Sequence, residues 1–240
     1  MIRKMKKTLK IMGASVMALC LLISAGCSSM TNTGKGALIG GGGGAALGAG
    51  LGAIIGGGKG AAIGSAIGAG VGAGAGALIG KKMDKQQQEL QRELAEKAQV
   101  EEVKDQNGLQ AIKVTFSSGI LFPTNGTTLS TSARNDLTPF ATSLLNNPDT
   151  NVQIYGFTDD TGTMAVNTRV ADGRANAVRQ FLLNSGVAAN RLTAEGIPMA
   201  DYVASNATPE GRQQNRRVEI YITASKQMIE QAEAGTLSMR

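Results

Sequence analysis

The stretch "NVQIYGFTDDTGTMAVNTRVADGRANAVRQFLLNSG", Asn151 to Gly186, decides how the chain is read. Its opening, Asn151 to Phe157, is rich in β-formers and predicts a strand. From Met164 to Asn184, Val166, Val170, Ala177, Val178, Phe181 and Leu182 are spaced for one buried face, which predicts a helix ended by Gly186. Outward from this pair the pattern repeats. Upstream, "LQAIKVTF" (Leu109 to Phe116) alternates as a strand, and "GILF" (Gly119 to Phe122) extends it or pairs with it. Ser130 or Ser132 caps a helix to about Leu145, in which Pro139 requires a late start or a kink. Downstream, "RLTAEG" (Arg191 to Gly196) and "RRVEIYIT" (Arg216 to Thr223) are further strands, and the tail, residues 226–240, reads as a short helix. Strands alternating with helices predict an α/β (α+β) sandwich over residues 107–225, with two main helices on a small mixed sheet.

Before this domain, residues 81–106 are charged and rich in helix formers. Leu90 and Leu94 recur at i, i+4, and Glu93 with Lys97 makes a favourable pair at that spacing. As one helix this segment would be a spacer about 39 Å long. Further upstream, glycine occupies every fourth position from Gly36 to Gly80. "GKGALIG" at Gly34 returns as "GKGAAIG" at Gly58, an offset of 24, and the uncharged stretches Gly36–Gly56 and Gly60–Gly80 are each 21 residues long. Each would make a helix of about 31 Å, close to a bilayer's hydrocarbon thickness. In water glycine opposes a helix by roughly 1 kcal/mol relative to alanine; in lipid, small residues four apart let helices pack closely. The gaps hold almost only Ala, Ile, Leu and Val, whereas flexible linkers use serine and other polar residues. The expectation for 34–80 is a glycine-zipper hairpin of two helices turning at Gly57 to Lys59, able to form homo-oligomers.

The 240-residue chain has a formal charge of +6, but Arg3, Lys4, Lys6, Lys7 and Lys10 supply five of those charges. They precede an apolar run, Ile11 to Ile23, and then "SAGC". A basic start, a short apolar core and small residues before a break describe a secretory signal over 1–26. Its removal leaves +1, and no electrostatic case for nucleic acid remains. Cys20 departs with the signal, so Cys27 stands alone and no internal disulfide can form. "LISAGC" resembles the lipobox of bacterial lipoproteins, with Ser24 where leucine is usual. That resemblance implies acylation of Cys27, palmitate included, with residues 27–33 as a tether. Ser28, in place of the aspartate that retains such proteins in the inner membrane, points to the outer membrane. Several acyl chains anchor a protein stably without a spanning helix.

Enzymatic chemistry finds little support. The chain has no histidine, and its one mature cysteine is expected to be acylated. This excludes a Ser-His-Asp triad, a Cys-His pair and His-ligated zinc. Asp159 and Asp160 are adjacent and point apart if extended, a poor acid/base pair for glycan hydrolysis. No cofactor and no metal are expected.

"YGFTDDTGTMAVNTRVADGRANAVRQFL" followed by "TPEGRQQNRRVEIYI" resembles the OmpA-like peptidoglycan-binding domain family over about Leu109 to Thr223. Lipobox, glycine repeat and this domain together resemble YiaD-type outer-membrane lipoproteins. The family resemblance implies a βαβαβ-type sandwich that binds the diaminopimelate of the peptidoglycan stem peptide without cleaving it. It assigns Asp159 to the ligand's ammonium and Arg174 to its carboxylate, with the Thr158 backbone N–H and Asn125 as further contacts. Asn167, Arg216 and Arg217 are implied to support the loops. A zwitterion needs one anion and one bidentate cation, which suits this pair. Phe157 stands where the family commonly has histidine, and Tyr202 where proline is frequent. Without the resemblance, Asp159 and Arg174 read as a surface salt bridge worth ~0–1 kcal/mol. The implied role is an outer-membrane tether to the cell wall. The alternatives are an oligomerising, membrane-active glycine zipper and an assembly factor for envelope proteins.

Overall fold

The computed structural model describes residues 71–105, 107–123 and 126–239. The signal, Cys27, the tether, the zipper hairpin up to residue 70, and Asn125 lie outside the described residues. The elements are α1 (Ala73–Glu93), β1 (Gln99–Lys104), β2 (Gln110–Ser117), α2 (Ser118–Leu121), α3 (Thr131–Asn146) and β3 (Thr150–Phe157). They continue as α4 (Met164–Asn184), a 3₁₀ turn (Ala189–Arg191), β4 (Leu192–Ile197), α5 (Pro209–Asn215), β5 (Arg217–Ala224) and α6 (Lys226–Glu233).

One sheet carries the strands in the order β1-β2-β5-β3-β4. Only β3 and β4 run parallel, which requires the long crossover that α4 supplies. The other neighbours are antiparallel. The mixed α/β fold expected from the sequence is the fold observed. Strand side chains alternate between faces. Ile112, Val114 and Phe116 of β2, Val152 and Ile154 of β3, and Val218, Ile220 and Ile222 of β5 share one buried cluster with Leu137, Phe140 and Leu144 of α3 and Val178 and Leu182 of α4. Phe116 and Phe140 meet edge to face at 6.3 Å, a geometry worth about 0.5–1.5 kcal/mol beyond area burial.

Four expectations change. The spacer is not one helix to Gln106: α1 stops at Glu93, and Gln99–Lys104 pairs antiparallel with β2, Glu101 facing Lys113. An unpaired β2 edge outweighs the weak helix propensity of "QVEEVK", and the charges of β1 suit a sheet edge. "GILF" does not extend β2, because the chain turns into α2, closed by Phe122 N–H to Ser118 O at 2.8 Å. α3 does not start late: Ser130 Oγ accepts from Ala133 N–H at 3.0 Å, and the helix runs through Pro139 to Asn146. Thr138 and Thr142 hydroxyls donate to the Arg134 and Thr138 carbonyls around the proline. Finally, the buried stripe of α4 is Asn167, Ala171, Arg174, Ala175, Val178 and Leu182, while Val166 is exposed. Polar residues entered the buried face near the N-terminal end, where apolar periodicity alone could not see them.

Candidate functional site

The site lies where β3 ends. Thr158–Thr163 form a polar loop into α4, whose first turn is capped by Thr163 Oγ1 accepting from Val166 N–H at 3.4 Å. Asn167, one turn in, donates Nδ2–H to Thr161 O at 2.9 Å and to Thr163 O at 3.2 Å. This single buried amide bridges two points of the loop.

Asp159 is 6% exposed. Its Oδ1 accepts from Thr161 N–H at 2.9 Å, and its Oδ2 accepts from Arg216 Nη1 at 2.5 Å. Burial raises its pKa, but the Thr161 and Arg216 hydrogen bonds and the Arg216 charge outweigh this and leave it below the usual carboxylate value. Asp159 is therefore an anion at neutral pH.

Arg174 is 4% exposed and projects from the buried stripe of α4. Its Nε donates to Gly126 O at 3.1 Å, its Nη1 donates to Ser118 Oγ at 3.4 Å, and its guanidinium sits 5.5 Å from the Phe122 ring centroid. Among the described residues these bonds leave Nη2 unengaged. Burial and the Arg216 charge lower its pKa, with Asp159 opposing them. A guanidinium so basic stays charged regardless. The surface salt bridge that Asp159 and Arg174 suggest without the resemblance is not formed: both residues are buried, and Asp159 pairs with Arg216 instead.

Glycines set the distances. A Cβ on Gly156 of β3 would collide with Ala171 O, and one on Gly196 of β4 with Asp172 N, so α4 lies directly on the sheet. Asp172 Oδ1 accepts from Gly196 N–H at 2.8 Å in the same contact. A Cβ on Gly173 would come 2.8 Å from Thr127 Cγ2, so a glycine there lets the Thr127 segment close beside Arg174.

A second loop, between β4 and α5, closes the site's flank. Thr158 is buried, and its Oγ1 accepts from Met199 N–H at 3.0 Å. Met199 and Asp201 take left-handed φ values of 51° and 50°, uncommon for non-glycine residues. They are held there by buried partners: Asn215 Oδ1 accepts from Val203 and Ala204 N–H, and Arg217 Nη2 donates to Asp201 O at 2.9 Å. Arg217 also donates to Glu219 at 2.7 Å and stacks 3.8 Å over the Phe157 ring. Phe157 thus gives Arg217 a face to stack on. The adjacent arginines separate by strand alternation, Arg216 toward Asp159 and Arg217 onto the opposite sheet face.

The structure therefore brings Asp159, Arg174, Thr158, Asn167 and Arg216 to one end of β3, with Arg217 bracing from behind. Sequence reading missed Ser118, Phe122 and Gly126, which hold Arg174 across 48 to 56 residues of chain. Tyr202, which stands where the family often has proline, is 41% exposed, and its phenol pKa is raised by burial and by the charges of Asp160 and Asp159. No cluster of residues able to hold a metal ion occurs among the described residues.

The mixed sheet holds one parallel βαβ unit, with two arginines and a carboxylate at the strand end. Residues 121–216 match the family model of the OmpA family, and residues 5–84 match that of the YMGG-like Gly-zipper. The chain is 38% identical over 112 residues to a protein named "Probable lipoprotein YiaD" from Escherichia coli, covering 47% of this chain and 51% of that protein. It is also 38% identical over 112 residues to "Peptidoglycan-binding protein ArfA" of Mycobacterium tuberculosis, covering 47% of this chain and 34% of the other. The chain thus spans about half, or less, of the length of these relatives. Among solved structures, the cell wall anchor of the T6SS from Pseudomonas aeruginosa superposes with a TM-score of 0.50 at 29% identity, covering 57% of this chain and 97% of that one. These relatives are named as a lipoprotein, a peptidoglycan-binding protein and a cell wall anchor.

Proposed function

We propose that this chain is an envelope lipoprotein whose 107–225 domain binds peptidoglycan non-covalently, with diaminopimelate of the stem peptide as the group gripped. The observation that carries this reading is the unbalanced ionic cluster: two guanidiniums, Arg174 and Arg216, about one carboxylate, Asp159. A ligand carboxylate would complete Arg174 through Nη2. A ligand ammonium would share Asp159 with Arg216, whose side chain is 39% exposed and free to give way. The Thr158 N–H and Asn125 remain proposed contacts. Acylated Cys27 would fix the other end in the outer membrane, leaving the domain in the periplasm. The relatives' names support wall binding as the shared activity.

Co-sedimentation of the full chain with isolated peptidoglycan tests the site. Asp159→Ala and Arg174→Ala each remove a charge-assisted contact worth about 1.5–3 kcal/mol, so retention falls roughly 10- to 100-fold. Full retention by the double variant would sink the assignment. A second reading is favoured by the Gly-zipper match over residues 5–84: the repeat self-associates in lipid, and wall binding only positions it. Gly68→Leu then changes the cross-linked oligomer size, and a monomer in detergent and lipid alike counts against it.

A further inference from the structure

The Gly-zipper match reaches residue 84, but its last part is not available to a membrane partner. Val71, Ala75, Ile79 and Met83, four residues apart, are all buried in the same apolar cluster as the sheet and α3. Gly76 and Gly80 lie on the buried side as well, and a Cβ at Gly80 would stand 3.3 Å from Gln110 Oε1. Polar contacts lock the register. Lys82 Nζ donates to Asp149 Oδ2 at 2.6 Å and to Ser238 O at 3.1 Å, joining α1 to the start of β3 and to the C-terminal tail. Gln110 Nε2 donates to Asp84 Oδ1 at 2.6 Å, and Gln86 Nε2 to Ser143 Oγ at 3.5 Å. Lys82 would be a water-side flank of a membrane helix ending at Gly80; here it is 8% exposed inside protein.

We infer that α1 is a strap, and that its seating on the domain and full burial of Gly60–Gly80 in lipid are mutually exclusive states. With the chain seated from Val71 onward, the eleven residues 60–70 would supply about 16 Å as a helix, against a hydrocarbon thickness of ~30 Å. The first repeat, Gly36–Gly56, keeps its whole uncharged length. The two copies of the repeat are therefore unequal: the last ten residues of the second, 71–80, are committed to the domain. Releasing α1 adds the missing length and at the same time strips the Lys82–Asp149 pair and the Val71–Met83 stripe from the domain.

The chain has no tryptophan, so Gly74→Trp creates a sole emitter. A Cβ there meets nothing within 4 Å, so the probe does not disturb the seat. The full chain is incorporated into phosphatidylethanolamine/phosphatidylglycerol vesicles with brominated acyl chains, and a cooperative circular-dichroism melt reports that the domain is folded. The expected result is emission unaffected by bromine in the otherwise unaltered chain, and strong quenching once Asp149→Ala releases α1. If Asp149→Ala abolishes the melt, Gly80→Leu serves in its place, wedging α1 off Gln110 without stranding a charge. Quenching in the unaltered, folded chain overturns the inference. So does an unquenched probe in a released chain, release being shown by new tryptic cleavage at Lys81 and Lys82.

Discussion

At the start of β3, Lys82 meets Asp149 at 2.6 Å and Ser238 O at 3.1 Å, and both charged side chains are 9% exposed. At its end, Asp159 is 8% exposed at its side chain but its partner Arg216 is 39% exposed, with Arg174 a second cation nearby. Each carboxylate has a second arginine within electrostatic reach, Arg191 for Asp149 and Arg174 for Asp159, but the first ion pair is sealed while the second has a partly exposed partner. A sealed pair holds elements together, because breaking it strands a charge in a dry interior. An open cluster can exchange a partner for a ligand. Exposure separates glue from site more reliably than the presence of an ion pair.

The largest effect that tests this contrast is on stability. Lys82→Ala or Asp149→Ala leaves one buried charge alone and should cost about 3–5 kcal/mol, read as a lower urea midpoint. The paired apolar change Lys82→Met with Asp149→Leu should recover most of that loss. At the other end, Arg174→Lys keeps the charge but loses the planar fork, and wall retention should drop about tenfold with a smaller change in melting. Parity with the unaltered chain would remove Arg174 from the site.

pH gives the next test. The folded pKa of Asp159 lies below its ordinary value of 3.8. Its contribution to stability is therefore complete above about pH 4 and is lost as pH falls through the folded value. Stability and wall retention should both decline below about pH 4, and Asp159→Asn should flatten that share of the decline. The smallest effect belongs to Lys226 and Glu230, an i, i+4 pair at 3.6 Å with side chains 75% and 62% exposed. Lys226→Ala should leave melting and retention unchanged within error, because exposed pairs contribute little. A clear loss there would show that exposure is a poor guide.

The elements that could be read from sequence were those with a local signature. β2 to β5 alternate, α3 has its Ser130 cap, and α4 has an apolar period, so their bounds differ from expectation by few residues. β1 could not be read, because its strand character comes from the open edge of β2 and not from "QVEEVK" itself. The docking of α1 was equally hidden: Ile79 and Met83 acquire meaning only from partners far along the chain. The same holds at the site. Asp159 and Arg174 stand in a contiguous motif and can be singled out from it; Ser118, Phe122 and Gly126, which contact Arg174, arrive from a remote segment without a signature.

β3 has one more consequence under the proposed tethering role. It begins beside Asp149, where α1 brings the chain in from the anchor, and ends beside Asp159, where the wall would be gripped. Eight residues of strand, roughly 26 Å at ~3.3 Å each, lie between the two attachment points. A pull between membrane and wall would run along this strand. It is flanked on both sides, by β4 in parallel and β5 in antiparallel register, so the load would act in shear on two hydrogen-bonded ladders at once. An edge strand in that place would be peeled away one bond at a time.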